Sequence, residues 1–203
     1  MGRLLNNLFW IVYTDIVDVA QAIILGIVEG ITEFLPISST GHLILASSLL
    51  KIEQTEFVKT FEIAIQSGAI LSVVFLYGRT ILKDIELIKR VLVAFIPTAI
   101  IGLALYKFIK QYLIGSPDVV LLSLFLGGIV LIAVELLLKR PETNLNHKSY
   151  IINPKSLSYE KAFVIGLFQS ISMIPGVSRA AATIIGGVIV GLPRKTAVEF
   201  SFL

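Results

Sequence analysis

Six stretches of the chain carry no charged side chain, and each is 14 to 17 residues long. They lie at residues 34–50, 63–78, 91–106, 119–134, 162–178 and 180–193. Of the 203 residues, 56% are hydrophobic and only 15% are charged, whereas soluble domains carry roughly 25% charged residues. This pattern excludes an ordinary soluble enzyme and a disordered chain. It predicts an all-α, polytopic integral membrane protein.

Three of these stretches extend to the length of a full membrane span, at residues 62–78, 91–109 and 118–138. The remaining regions, 16–50 and 160–192, are interrupted by Pro, Gly, Ser and ionisable residues. Interrupted segments at membrane depth are typical of re-entrant helical hairpins that line a protected cavity. Residues 1–15, with aromatic side chains at Phe9, Trp10 and Tyr13, are interpreted as an interfacial extension. Because no linker divides the chain, residues 1–203 are predicted to form one membrane domain.

The basic residues are concentrated in two loops. Segments 78–90 and 139–161 together contain nine Lys and Arg residues, while the alternate loops contain Lys51, Lys59, Lys107 and Lys110. Three crossings put both basic loops on one face, which the positive-inside rule makes cytoplasmic. The net charge of +3 therefore reflects topology, and nucleic acid is not a predicted partner. A cysteine count of zero excludes disulfides, thiolate metal sites and cysteine nucleophiles.

The two interrupted regions resemble each other. Gly26 is followed by Pro36 and a pair of serines, and Gly166 is followed by Pro175 and Ser178. The second copy is shorter by a single position between the glycine and the proline. Because an odd number of crossings lies between the copies, they would enter from opposite faces. The sequence thus predicts an inverted-topology repeat with a site where the two broken segments meet.

Two carboxylates mark the first copy. Glu29 and Glu33 are four residues apart, so both lie on one face of a helix, and their neighbours are apolar. Two like charges in such surroundings are costly unless a cation or a proton lies between them. One interpretation is a pair that binds a divalent metal or performs acid/base work on a phosphate. The other is a solvated pair at a helix end.

Hydroxyl groups and a histidine follow Pro36. Proline ends one helix, and Ser38 or Ser39 is a natural N-cap of the next. The free amides of a helix start, together with Ser38, Ser39 and Thr40, are typical of an anion site. His42 is the one ionisable group in the apolar run that follows Glu33, which favours a functional role for it.

The second copy contributes a cation. Arg179 is the only charged residue between Lys161 and Arg194, and it follows Ser178. A guanidinium at membrane depth needs an anionic partner, either the glutamate pair or a substrate phosphate, and it is suited to bidentate phosphate binding. Thr183 lies one turn further on the same face. Gln66 either joins two helices or lines the cavity, and Glu62 and Glu135 are interpreted as solvated at span ends. The residues thus outline a site for a phosphorylated amphiphile.

Several blocks resemble one known family. The run GIVEGITEFLPISSTGH at residues 26–42 strongly resembles the signature of the undecaprenyl-diphosphate phosphatases, the bacitracin-resistance family. FEIAIQSGAILSVV at 61–74, the Ile96-Pro97 pair, IPGVSRAAATIIGG at 174–187 and AVEFSFL at 197–203 are also similar to it. The resemblance implies removal of the terminal phosphate from a C55 isoprenyl diphosphate, which regenerates the lipid carrier for cell-wall synthesis and confers bacitracin resistance. It also implies a divalent cation, Mg²⁺ or Ca²⁺, and a re-entrant fold in the cell membrane that opens on the outer face.

The resemblance assigns roles residue by residue. Glu29 and Glu33 would be the acidic, metal-binding pair, and Arg179 the charge-stabilising cation. The nucleophile stays open between Ser39, His42 and water. The remaining matched or cavity residues would bind the diphosphate: Ser38, Thr40, Ser178, Thr183 and Gln66. The predicted partners are the polyprenyl diphosphate, membrane lipids and a second copy of the chain in a homodimer.

The sequence departs from the family pattern at two places. Ala180 and Ala181 stand where the family usually has Ser-Gly, which removes one hydroxyl next to Arg179. The family also continues with further membrane helices after the Glu-Phe-Ser-Phe-Leu segment, so the fold is expected to lack its C-terminal helices. A transporter or lipid flippase with the same inverted-repeat fold is the alternative function. A non-catalytic homologue is a third interpretation.

Overall fold

The computed structural model describes residues 17–113, 116–137 and 157–203, and within these ranges all regular structure is helical. Eight α-helices follow one another in the described part. They are α1 (Val19–Thr32), α2 (Ser39–Leu49), α3 (Glu56–Lys83), α4 (Ile85–Phe108), α5 (Pro117–Leu137), α6 (Tyr159–Ser170), α7 (Arg179–Ile189) and α8 (Arg194–Ser201). The aromatic extension predicted before residue 16, and His147 with most of the second basic loop, lie outside the described residues.

Three of the described helices are long and apolar enough to cross a membrane. The spanning segments are Glu56–Arg79, Ile85–Leu113 (α4 with the π-helical turn Ile109–Leu113 that continues it) and Pro117–Leu137. These match the predicted spans, although α3 and α4 each begin six residues earlier than expected. Large apolar side chains on these helices face outward, including Phe75 and Leu103, which are 90% and 81% exposed. Such an apolar exterior is the surface that lipid covers.

The two interrupted regions form helix pairs that are too short to span. α1 and α6 have 14 and 12 residues, about 20 Å at 1.5 Å per residue, whereas the hydrocarbon core is about 30 Å thick. α1 packs against α2, and α6 packs against α7. The two helix pairs lie within the segments predicted to be hairpins, 16–50 and 160–192. Three membrane-length helices lie between them in the described part of the chain, and an odd number of crossings would bring the two pairs in from opposite faces.

The two hairpins begin their helices with the same capping contacts in a constant register. Asp18 caps α1 by accepting from the amide of Gln21, and Ser158 caps α6 by accepting from the amide of Lys161. The second helix of each hairpin is capped by Ser38 or Ser178, which also accepts from the amide three positions further on. The step from Asp18 to Ser38 equals the step from Ser158 to Ser178. The second copy has one residue fewer between glycine and proline and one more between proline and the serine cap, so the caps keep the same spacing.

The same register continues to the end of each hairpin. Lys51 and Gly191 occupy corresponding positions, and both adopt a positive φ, of 56° and 88°. The amides of Lys51 and the next residue donate to carbonyls of α2, and the amides of Gly191 and the next residue donate to the corresponding carbonyls of α7. A left-handed residue that ends a helix in this way is normally glycine. The repeat therefore extends to backbone hydrogen bonds that the sequence pattern does not show.

The second hairpin is fixed against α4 at close range. A side-chain carbon added at Gly166 would lie 1.9 Å from the carbonyl oxygen of Ala94, and the Thr98 hydroxyl donates to the Gly166 carbonyl over 3.0 Å. The apolar core around this contact includes Leu87, Ala162 and Ile165, all nearly or fully buried. Glycine at 166 is thus required by the packing of α6 on α4. This contact fixes α6 of the second hairpin against α4.

Candidate active site

The turns of the two hairpins meet at an ion pair. Glu33 is the C-cap residue of α1 and Arg179 is the first residue of α7. An Arg179 guanidinium nitrogen lies 2.5 Å from Glu33 Oε1. The sequence predicts either the glutamate pair or a substrate phosphate as the anionic partner of this arginine. In the structure the partner is Glu33. Arg179 remains 52% exposed, so its other N–H groups are available to a ligand.

The second oxygen of the same carboxylate binds Ser39. The Ser39 hydroxyl donates to Glu33 Oε2 over 2.6 Å, and Ser39 is 8% exposed. Glu33 therefore connects the first residue of α2 with the first residue of α7. Glu33 also accepts the hydrogen bond of the Ser39 hydroxyl, whereas the ring of His42 contacts the Ser38 carbonyl oxygen.

Glu29 occupies a different environment from Glu33. It is 1% exposed, and neither carboxylate oxygen has a hydrogen-bond partner among the described residues. A buried carboxylate in this state needs a proton or a cation. The residues present therefore fit a divalent metal bound through Glu29, with Glu33 one turn away on the same helix face. In the part of the chain that the structure describes, no group of three or more acidic, His or Cys side chains could hold a metal, and Glu29 lines neither of the two cavities described below.

A cavity of about 270 Å³ opens between the hairpin turns and α3. It contains most of the predicted site residues, and its polar lining comes from both copies of the repeat. The predicted residues that line it are Glu33, Ser38, Ser39, Thr40, Gln66, Ser178 and Arg179. Gln66 thus lines the cavity, and Ser172, which the sequence analysis did not select, joins it.

Two helix starts face this cavity. α2 and α7 each have 11 residues, and the cap and first residue of each, Ser38-Ser39 and Ser178-Arg179, line the cavity wall. The unpaired amides and the positive dipole end of a helix start both favour a bound anion. Two such ends and one guanidinium converge here, an arrangement suited to an anion with several charges.

His42 and Thr183 lie behind the cavity lining. His42 Nδ1 is 2.9 Å from the Ser38 carbonyl oxygen, and because a carbonyl only accepts, Nδ1 carries the hydrogen. In the neutral ring Nε2 is then free to accept a proton or bind a ligand. Thr183 is 5% exposed, and its hydroxyl donates to the carbonyls of Arg179 and Ala180. Its hydrogen bonds therefore stay within α7.

A second, apolar cavity of about 150 Å³ shares Glu33 and Arg179 with the first. Its other walls are almost entirely hydrocarbon, from Phe34, Ile70, Val73, Val74, Ile81, Phe202 and Leu203, with Ser201 beside them. A polar cavity and an apolar one thus meet at the ion pair. This arrangement suits an amphiphile whose charged group joins an apolar chain.

Glu62 corrects the sequence interpretation. It was expected to be solvated at a span end, but it is 7% exposed because α3 begins at residue 56 and places Glu62 inside the helix. Its Oε1 accepts from the hydroxyl of Ser47 and from the amide of Gln54, each over 3.1 Å. The Thr55 cap of α3, which accepts from the amide of Val58, is the sequence signal for the earlier start. Glu135 is exposed near the end of α5, as expected from the sequence, and it pairs with Arg194.

Comparison with known proteins shows the family of the chain. The family model described as bacitracin resistance protein BacA matches residues 22–203. The chain belongs to this bacitracin-resistance family. It is 56% identical over 183 residues to a protein of Aquifex aeolicus named undecaprenyl-diphosphatase, covering 90% of this chain and 69% of that protein.

Other members of the bacitracin-resistance family are similarly related. An undecaprenyl-diphosphatase of Persephonella marina is 57% identical over 185 residues, covering 91% of this chain and 70% of the relative. One of Wolinella succinogenes is 50% identical over 186 residues, covering 92% and 70%. Together with the three apolar helices, this membership identifies a multi-pass membrane protein.

Proposed function

We propose that the chain is an undecaprenyl-diphosphate phosphatase that converts undecaprenyl diphosphate and water into undecaprenyl phosphate and inorganic phosphate. The observation that carries the proposal is the Glu33–Arg179 pair between two helix starts on one cavity. Relatives at 56–57% identity are named for this activity. The product is the lipid carrier for peptidoglycan and cell-wall synthesis, and its regeneration confers bacitracin resistance.

Different residues have different roles in the proposed reaction. Arg179 and the amides at the starts of α2 and α7 bind the phosphate oxygens and stabilise the charge that develops on them. Ser39 or a water molecule attacks the terminal phosphorus, and Glu33 accepts the proton of the Ser39 hydroxyl. The bond from that phosphorus to the bridging oxygen breaks, and undecaprenyl phosphate leaves. If Ser39 attacks, water then hydrolyses the phosphoserine.

A divalent cation, Mg²⁺ or Ca²⁺, is part of the proposal. Glu29 and Glu33 would hold it, and the unpartnered oxygens of buried Glu29 support this assignment. When bound, the cation would neutralise phosphate charge. Ser38, Thr40, Ser178 and Gln66 would hold the diphosphate. Thr183 would act on the diphosphate only through the backbone of Arg179, because the Thr183 hydroxyl donates to carbonyls of α7.

The orientation of the site and its assembly are further parts of the proposal. The excess of Lys and Arg in segments 78–90 and 139–161 supports a cytoplasmic location of those loops. The first hairpin then enters from the outer face, and the site opens outward. A homodimer stays a prediction.

The test is release of inorganic phosphate from a C55 isoprenyl diphosphate in detergent, with and without Mg²⁺ or Ca²⁺. Because Glu33 contacts both Arg179 and Ser39, Glu33→Gln and Arg179→Ala are each expected to lower kcat/KM by about 100-fold or more. Glu53→Gln, at an exposed position outside the cavity, is the matched control. Absence of cation-dependent phosphate release by the intact wild-type protein would contradict the proposal.

The same variants separate the phosphatase from the alternative. A transporter or flippase would move lipid or solute across liposomes whether or not Glu33 is changed to Gln. Transport that survives both substitutions, with no phosphate released by the wild type, would favour that alternative over the enzyme.

A further inference from the structure

Glu62 forms a buried polar cluster away from the cavity. Its carboxylate, on α3, accepts from Ser47 on α2 and from Gln54 in the turn between these helices. Ser47 is fully buried, and Glu62 is 7% exposed. Neither side chain lines the cavity between the hairpin turns. The cluster therefore connects two elements of the site without taking part in the site itself.

Ser47 lies on the same helix face as the Ser39 hydroxyl. Ser39, Leu43 and Ser47 follow one another at intervals of four residues, the spacing of one helix face, and all three are buried. This face of α2 is held by carboxylates at two points. Ser39 donates to Glu33 at the start of the helix, and Ser47 donates to Glu62 two turns later. A rotation or sliding of α2 cannot keep both bonds, so the second fixes the geometry of the first.

Burial of the Glu62 carboxylate costs free energy that an apolar side chain at this position would not cost. A buried carboxylate that only neutral groups contact is stabilised by its hydrogen bonds alone. Removing Glu62 leaves the Ser47 hydroxyl and the Gln54 side-chain amide without this acceptor, and removing Ser47 leaves Glu62 with the Gln54 hydrogen bond alone among those described. A leucine at position 62 could instead pack against α2, but it would leave the Ser47 hydroxyl without its acceptor.

We propose that Glu62 is a positioning residue of this active site, which acts through Ser47 to fix α2 and so to place the Ser39 hydroxyl against Glu33. This inference rests on the proposed phosphatase function. Of the groups proposed to bind the phosphates, Arg179 and Ser178 are at the start of α7 and do not depend on the Glu62 cluster, whereas Ser38 and Thr40 are at the start of α2. Loss of the cluster therefore misplaces Ser39 and should lower kcat more than it raises KM, because Arg179 and Ser178 still bind the phosphates.

The experiment measures kcat and KM for phosphate release by Glu62→Gln, Glu62→Leu and Ser47→Ala. Since misplacement of reacting groups by about 1 Å can cost about 100-fold, we expect Glu62→Leu and Ser47→Ala to lower kcat by about 10- to 100-fold, with a smaller change in KM. Glu62→Gln keeps an oxygen acceptor for Ser47 and should retain kcat within about threefold. Ser48→Ala, at the exposed neighbouring position, is the matched control.

Further outcomes separate positioning from other roles. The double variant Glu62→Leu/Ser47→Ala should be no slower than Glu62→Leu alone, because both substitutions remove the same contact. A Glu62→Gln variant as slow as Glu62→Leu, or a rise in KM with kcat unchanged, would overturn the proposal. Wild-type kcat in a folded Ser47→Ala variant would also overturn it, even if Glu62→Leu failed to fold. A wild-type protein without activity would instead contradict the proposed function.

Discussion

The backbone at Ser38 adopts φ of 66° and ψ of 95°, in a region that residues with a side chain rarely occupy. Its hydroxyl nevertheless caps α2 by accepting from the amide of Gly41, and its carbonyl accepts from His42 Nδ1. One residue thus turns the chain, begins the helix and orients the histidine. Strained residues of this kind are concentrated at functional sites, and here the strained residue lines the cavity.

The hydrogen bond of His42 allows its two nitrogens to be tested separately. In His42→Asn, the side-chain amide can donate to the Ser38 carbonyl in place of Nδ1, but nothing replaces Nε2. If Nε2 moves a proton, kcat should fall by about 100-fold or more while KM stays within about threefold. Added imidazole should restore part of the loss.

His147, in the polar loop 139–161, provides the control, since it is the only other histidine. His147→Asn is expected to keep wild-type kcat. A His42→Asn variant with full turnover would show that His42 only orients the start of α2.

At the scale of the elements, Gly166 makes the closest backbone contact of the second hairpin. Because a side-chain carbon there would overlap the Ala94 carbonyl at 1.9 Å, Gly166→Ala should force α6 away from α4 and cost about 3 kcal/mol or more. For a chain of this size that lowers Tm by about 6–12 °C, which thermal unfolding in detergent measures.

Gly128→Ala is the matched substitution inside a helix. Within the described part of the chain, no atom lies within 4 Å of a side-chain carbon added at Gly128, on α5. Alanine favours helix by about 1 kcal/mol over glycine, so Gly128→Ala should keep or slightly raise Tm. An equal loss of Tm in both variants would contradict the close contact at Gly166.

The elements differ in how far the sequence could predict them. Pro36 and Ser38, like Pro175 and Ser178, indicate a helix end and a helix start because their chemistry is local. The burial of Glu62 could not be predicted in the same way. A hydropathy window locates only the apolar residues, whereas α3 begins earlier, at the Thr55 cap. The choice of Glu33 over Glu29 as partner of Arg179 depends on contacts across 146 residues of sequence, which no local pattern contains.

At the scale of the whole molecule, the hairpins and the three long helices form one arrangement around the ion pair. The hairpin helices are too short to cross a bilayer, so a hairpin that enters from one face would have its turn at membrane depth. The Glu33–Arg179 contact puts both turns at the same depth. A charged pair at that depth is stable because a polar cavity surrounds it. The short helices are therefore the feature that places a phosphate site within an apolar protein.

The proposed outward orientation of the site predicts which face of the membrane each end of α3 occupies. Its 28 residues extend about 42 Å, more than the hydrocarbon thickness of about 30 Å. Glu53, before α3, should lie outside, and Lys83, at its end, should lie in the cytoplasm. Because the chain has no cysteine, Glu53→Cys and Lys83→Cys each introduce a single reactive thiol. A membrane-impermeant maleimide should label Glu53→Cys in intact cells, and Lys83→Cys only after permeabilisation.

A third cysteine extends the same test to the cavity. Leu35 lines the cavity and is 44% exposed, so Leu35→Cys should be labelled in intact cells, and a polyprenyl diphosphate should slow the labelling. Labelling of Lys83→Cys but not Glu53→Cys in intact cells would invert the topology and turn the site toward the cytoplasm. Labelling of both from one side would mean that α3 does not cross the membrane. With the expected result, substrate reaches the ion pair from the outer leaflet, and the cavity at the hairpin turns is its point of entry.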